Sequence, residues 1–442
     1  MLAGDRGRRH RVGTLGAFVG AAFLVASCQT VGAAAGGGTP PAPSGAADQV
    51  SSKRQPSSSG VPANRGLWVV RTTLTHPDSV RAMVRRAADA GFNTLLVQVR
   101  GRADSYFSNG SEPRADALKA RPDFDPLALT LQEAHRRGIE VHAWMNVHLV
   151  SSALRLSTDP GHLVNERPDL LAVPRELAGE LNVLDPKDSR FLERLRRHAD
   201  ENRIRVEGLY SSPSSPEVKE RVYSVAMDLV DRYDIDGLHM DYVRYPSGEY
   251  DYSRAALSRF RSWVGERVPP GRRTQLDQAA LADPLAYANA LPGPWAEFRR
   301  AQITDLVERI HTGAKRRRPD VLVSAAVFPD PITSYTERYQ DWAAWIRDDI
   351  VDMVAPMAYT ADEERYRELM GKAVEVGGGD RVWAGVGTYL TSYQGTVDMI
   401  GIARGMGVRG VVLFSYDWAV ASGESPDDVP FLRRVGEAGF GR

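Results

Sequence analysis

The 442-residue chain is long enough for one large domain or two, and its 43% of hydrophobic residues can fill a sizeable core. Its 56 basic and 56 acidic residues balance, which disfavours a nucleic-acid or polybasic membrane partner. A single cysteine excludes an internal disulfide framework and any cysteine-rich metal site.

The chain opens as a secretory signal. Arg6, Arg8, Arg9 and Arg11 form a positive n-region, and Val12 to Ala26 is a short apolar run, too short for a comfortable membrane span. It closes on Val25-Ala26-Ser27-Cys28, which resembles the lipobox of bacterial lipoproteins. That resemblance implies cleavage before Cys28, lipidation of Cys28 and an envelope location with the membrane reached through this lipid only; an ordinary signal cut nearby is the alternative. Loss of residues 1–27 removes four basic residues and one acidic residue, leaving 52 against 55 and a net charge of −3. Residues 28–64 are Gly, Ala, Pro and Ser with almost no large apolar side chain, a composition that cannot offset its ordering entropy. They are expected to form a disordered tether through which the domain at 65–442 reaches an extended polymer.

From Arg65 onward, strand-like and helix-like stretches alternate. Strands are predicted at Gly66–Arg71, Thr94–Arg100, Glu140–Val147, Ile235–Asp241, Val321–Phe328, Asp352–Tyr359, Arg381–Tyr389 and Gly410–Tyr416. Between them the pattern predicts helices at Asp78–Ala90, near Leu127–Arg137, Pro216–Tyr233, around Trp295–Arg318, Tyr339–Arg347, Glu363–Val376 and Thr396–Met406. Eight strand–helix units in order predict an α/β (β/α)8 TIM barrel with long insertions after strands 3 and 4 that would wall a cleft. A doubly wound open sheet gives a similar alternation, but no Gly-rich phosphate fingerprint follows the first strand.

The stretch Ile235 to Pro246 carries the strongest chemical signal. Period-2 alternation sends Leu238 and Met240 one way and His239 and Asp241 the other, and Pro246 cannot donate to a ladder. Asp241 therefore ends strand 4 beside Tyr242, Arg244 and Tyr245, at the face where such barrels place their sites; pinning of its own loop through Arg244 is the bland reading. Alternation also gathers Gln98 and Arg100 on one face of strand 2, His142, Trp144 and Asn146 on one face of strand 3, and Trp383, Gly385, Gly387 and Tyr389 on one face of strand 7. Asp104, Tyr106, Tyr359, Tyr416, Asp417 and Trp418 extend this ring as strand-end or loop residues.

Glycoside hydrolysis needs two carboxyl groups flanking the bond. Asp241 is the first, expected to be ionised near Arg244; because no Glu stands at a strand C-terminus, Asp330 ranks first as the acid, then Asp104 and Asp417. Asp236, at the start of its strand, is excluded. Two other classes stay open: a glycan-binding protein that lacks a second carboxylate at working distance, and a metal-dependent barrel hydrolase. Trp68-Val69-Val70-Arg71 has no His-x-His pair, and His142 and His148 need not converge, so no metal or other cofactor is expected.

Taken together, RGLWV at Arg65, QVRGRADSYF at Gln98, VHAWMN at Val141, DGLHMDYVRYP, QDWAAWI at Gln340, VAPMAY at Val354 and GVVLFSYD at Gly410 resemble the glycosyl-hydrolase-like barrel lipoproteins of bacteria, often labelled family 10 glycosylhydrolase. The resemblance implies Asp241 as catalytic residue, the aromatic-rich face as glycan site, and a polysaccharide substrate. One member type cleaves peptidoglycan strands from which peptides have been removed. The sixth strand departs from the family's usual PQ.YW and reads Pro356-Met357-Ala358-Tyr359-Thr360.

Overall fold

The computed structural model describes residues 62–421 and 431–441. The predicted signal, Cys28 and nearly all of the predicted tether lie outside the described residues. Asn64 already opens the first strand, so residues 62–64 belong to the barrel rather than the tether.

Eight parallel strands form one sheet: β1 (Asn64–Val69), β2 (Thr94–Arg100), β3 (Glu140–Asn146), β4 (Gly237–Asp241), β5 (Leu322–Val327), β6 (Met353–Pro356), β7 (Trp383–Gly387) and β8 (Gly410–Phe414). Each pairs with its sequence neighbour and β8 pairs with β1; β6 and β7 meet through one parallel bridge, Val354 to Val382. That is the predicted barrel, with strand bounds shifted by a few residues. The helices follow the hydrophobic pattern and their caps. In α1 (Pro77–Asp89), Val80, Met83, Val84 and Ala87 share the buried face. Later, α2 (Pro126–His135) is capped by Asp125, and α3 (Pro216–Arg232) by Ser215, whose hydroxyl accepts from the Val218 N–H, with Pro at the first helical position in both.

Barrel-facing side chains stack in layers, as alternation predicts. The lowest holds His142, edge-on to Trp383 at 5.1 Å, where β4 contributes only Gly237: a Cβ there would stand 2.0 Å from His142 Nδ1. Above it, Trp68, Leu96, Trp144, Met353, Ala355 and Val412 pack together. The Trp68 indole N–H donates to His239 Nε2 at 3.1 Å, which assigns the ring proton to Nδ1, 2.9 Å from the Ser324 hydroxyl. Burial pushes His239 down to about 3, so this imidazole is neutral core.

The insertion between β3 and α3 contains a two-stranded antiparallel ribbon, Leu149–Ser151 with Leu209–Tyr210. The insertion after β4 packs on α4 (Pro292–Arg317) through Phe260, Trp295 and Phe298, with Phe260 and Trp295 centroids 4.8 Å apart. The two insertions are tied together: Val173 donates to Asp251 at 2.9 Å, and Tyr252 donates to the Val173 carbonyl at 2.8 Å.

Candidate active site

β4 delivers Asp241 to the C-terminal mouth, and the chain turns at once, with Tyr242 at φ +51°. A non-glycine residue in this region costs on the order of 1 kcal/mol, and here the turn lets the Tyr242 N–H donate to Asp241 Oδ1 at 2.6 Å. Asp241 keeps 8% of its surface accessible. Burial pushes its carboxyl up to about 6, against the opposing pull of Arg244, the Tyr242 N–H and Trp144, and with the help of negative charge on Glu207. Arg244 does lower Asp241, as their proximity predicts, but burial outweighs it.

Arg244 is committed elsewhere. Its Nη2 donates to Glu207 at 2.7 Å, its guanidinium faces Tyr242 at 4.8 Å and Phe328 at 5.1 Å, and it is 3% exposed. The other Glu207 oxygen accepts from the Tyr210 hydroxyl at 2.6 Å. Burial raises the Glu207 carboxyl, but Arg244 and Tyr210 outweigh it and hold the group below its ordinary value. The mouth thus pairs a carboxyl pushed up with a carboxylate pushed down, the separation of roles that acid–base chemistry uses. Sequence reading missed Glu207. It comes from the β3–α3 insertion, two residues before a short ribbon strand, and no barrel-strand period points to it.

The expected acid, Asp330, has other work. Its Oδ1 caps a helical turn, accepting from Ile332 and Thr333 N–H at 3.0 Å each, and its Oδ2 pairs with Lys372 at 2.7 Å. Burial raises Asp330, but Lys372 and the two N–H groups bring it below its ordinary value, the reverse of what an acid needs. Asp417 fastens the end of β1, accepting from Val70 N–H at 2.7 Å and Thr73 hydroxyl at 2.5 Å, and burial raises it. Asp104 accepts from the Arg102 N–H at 2.7 Å.

The aromatic wall assembles in part. Tyr359 stacks on Phe414 at 5.4 Å and meets Trp68 and Tyr389; burial and then Asp241 raise its phenol, which places it beside the carboxyl. Burial raises the Tyr389 phenol to about 12. Trp144 lies under Asp241, and its indole N–H has no well-aligned hydrogen bond. Gln98 and Asn146 join side chain to side chain at 3.3 Å. Other candidates turn away. A bulge after Gln98 swings Arg100 out of register, where it binds Glu112 at 2.5 Å and the carbonyls of Asn146 and Val147. Tyr245 packs edge-on to Tyr339 at 5.4 Å, and the Tyr416 hydroxyl accepts from Arg86 on α1 at 3.2 Å. His142 and His239 lie in the layers below. Two surface cavities open beside the β2–α2 loop, one lined by Ser105, Phe107 and Arg114, the other by Glu112, Leu163 and Arg221; neither includes Asp241 among its lining residues. Among the described residues no three His, Cys, Asp or Glu side chains are grouped to hold a metal ion.

An eight-stranded α/β barrel with a buried carboxyl at the end of β4 and stacked aromatics beside it has its polar groups on the face where such barrels place their sites. Residues 63–375 match the family described as Glycosyl hydrolase-like 10, and the chain belongs to that family. It is 25% identical over 333 residues to the glycosyl hydrolase DigH of Escherichia coli K12, covering 67% of this chain and 65% of that protein. Against the glycosyl hydrolase YngK of Bacillus subtilis strain 168 it is 25% identical over 288 residues, covering 61% and 46%. The chain thus spans less than two thirds of the length of either relative. Among solved structures, the glycoside hydrolase domain of PgaB (BpsB) from Bordetella bronchiseptica superposes with a TM-score of 0.58 at 17% identity, covering 83% of this chain and 97% of that one. The catalytic domain of β-amylase from Paenibacillus polymyxa gives 0.56 at 10% identity, covering 86% and 98%; these two likenesses speak to the fold.

Proposed function

We propose that this chain hydrolyses a glycosidic bond in a cell-envelope polysaccharide, with peptidoglycan strands as substrate, and that Cys28 anchors it by lipid to the envelope membrane. The observation that carries this reading is the opposed pair at the barrel mouth: Asp241 raised to about 6 by burial and Glu207 held ionised by Arg244. In this reading Asp241 donates its proton to the glycosidic oxygen as the C–O bond breaks, and Glu207 is the ionised partner facing the developing oxocarbenium charge. Water then adds at the anomeric carbon and gives its proton to a carboxylate of the pair, so the sum is one bond hydrolysed. Tyr359, Tyr389 and Phe414 supply the apolar wall on which a sugar ring lies.

The test is release of reducing ends from peptide-free peptidoglycan strands, with chitin-type and plant-type glucans as controls. Asp241→Asn keeps the shape and removes the proton donor, so the rate should fall on the order of 10³-fold while binding persists. Full activity in that variant would overturn the assignment. One observation favours a second reading, a glycan-binding protein that does not cut: both Glu207 oxygens are already engaged, by Arg244 and Tyr210. Tight binding by the wild type with no product from any polymer would establish it.

A further inference from the structure

The loop after β2 builds a second charged feature at the same mouth. Arg71, just past β1, donates from Nη1 to Gln98 Oε1 at 2.8 Å; the Gln98 amide reaches Asn146 at 3.3 Å, and the Asn146 amide donates to the Gly101 carbonyl at 2.8 Å. This relay lays the Arg71 side chain across Gly101. A Cβ at that position would stand 2.3 Å from Arg71 Cδ and 2.8 Å from its Nε, so a side chain there would push Arg71 out of this pose. Arg102 follows immediately. Its backbone carbonyl accepts from His162 Nε2 at 2.7 Å and its N–H donates to Asp104, but its guanidinium makes no ion pair among the described residues, and its Nε is buried without a hydrogen-bond partner. Burial and then the neighbouring Arg71 cation hold Arg102 below its ordinary value, while Tyr242, Asp104 and Tyr106 act the other way. Arg71 also hydrogen-bonds Tyr106, and among the described residues the two guanidiniums face one nearby carboxylate, Asp104, an excess of one positive charge.

The place of this charge matters. Tyr242 lies near both Arg102 and Asp241, and Asn146 of the relay is the register partner of Asp241. From β2 to β4 is two strand spacings, roughly 10 Å, within the span of a disaccharide.

We propose that Arg71 and Arg102 form a carboxylate-recognition site beside the cleft, so that the glycan held at Asp241 carries a free acidic group on a neighbouring sugar. The proposal rests on the glycan-cleft reading above and narrows its substrate to acidic sugars. Guanidiniums suit this task because each presents planar paired donors to a carboxylate. An amidated carboxyl, as on a peptide-bearing muramic acid, loses that charge, and the site then discriminates against it.

The experiment measures binding with Asp241→Asn, which does not cut, by titration calorimetry against peptide-free peptidoglycan strands and against the same strands with carboxyls reduced to alcohols. The reduced strands should bind at least tenfold more weakly. Adding Arg71→Gln and Arg102→Gln should collapse that ratio toward one, while Arg102→Lys, which keeps the charge, should retain part of it. A hexuronate oligosaccharide forms a third arm: if it and the unreduced strands both bind, any sugar carboxylate serves, and if only the strands bind, the lactyl ether carboxylate is selected. Equal affinity for native and reduced strands, or Arg variants that weaken both forms alike, would overturn the proposal. If the wild type hydrolyses nothing while this discrimination persists, the glycosidase reading fails and the carboxylate site stands.

Discussion

Arg244 pairs with Glu207 at 2.7 Å, and Asp241, three residues away in sequence, makes no ion pair among the described residues. The guanidinium that sequence proximity allots to the strand-end aspartate instead neutralises a carboxylate brought in by an insertion. Burial is then the largest influence on Asp241 and raises it to about 6.

A stability signature follows for Asp241. Its folded-state value, raised from 3.8 to about 6, means the native state holds the proton more tightly than the unfolded chain. That contribution is fully present below about pH 4 and is lost as pH rises through about 6. The cost of ionising the buried group is about 3 kcal/mol at neutral pH. Asp241→Asn should therefore melt several degrees above wild type at pH 8, with the gap closing at pH 4; thermal unfolding followed by circular dichroism at the two pH values measures it.

If Asp241 is the acid, kcat should fall as pH rises past about 6, and Glu207→Gln should move that limb to lower pH. The sign is set by the negative charge of Glu207, which raises Asp241; without it burial alone opposes the lowering by Arg244. The same variant leaves Arg244 buried with only a neutral acceptor, so a stability loss of about 3 kcal/mol should accompany the shift. A pH–rate profile whose limb stays in place would separate Glu207 from the chemistry.

Asp330→Asn should be mild. Its amide oxygen can still accept from the Ile332 and Thr333 N–H groups, so the helix cap is kept, and losing the part-exposed pair to Lys372 costs up to about 1 kcal/mol; kcat should stay within about twofold, since neither Asp330 oxygen is free. A loss on the order of 10³-fold, rescued by a substrate with a good leaving group, would return the acid's role to Asp330.

If Cys28 carries the proposed lipid, its replacement by Ala should leave unprocessed or soluble protein. Mass spectrometry of the membrane fraction tests it; a mature N-terminus well downstream of Cys28 and free of lipid would refute the anchor.

The barrel was legible because its signals are local. Alternation placed His142, Trp144, His239 and Asp241 on one side of their strands, the side that is buried. Asp241 was legible as a strand terminus followed by a residue that ends pairing. Contacts made across long sequence separation were not: Glu207 meets Arg244 only once the insertion folds back over the mouth. Arg100 misled for a local reason, since a one-residue bulge reverses the side a side chain takes. Tyr245 and Tyr416 misled because a strand-end tyrosine can turn toward the outer helices as readily as toward the cleft.

The bridge from Val354 to Val382 has a mechanical consequence. Seven of the eight strand junctions are full hydrogen-bonded ladders, whereas β6 ends at Pro356, which has no N–H to donate, and touches β7 at a single bridge. The cylinder is a rolled sheet whose two edges are barely stitched, and Tyr359 and Tyr389 stand at the top of that seam, one on each side. Amide hydrogens along β6 and β7 should exchange with solvent ahead of those in β2 to β4. Slower exchange beside Asp241 than beside the two tyrosines would show that the barrel opens first along this seam.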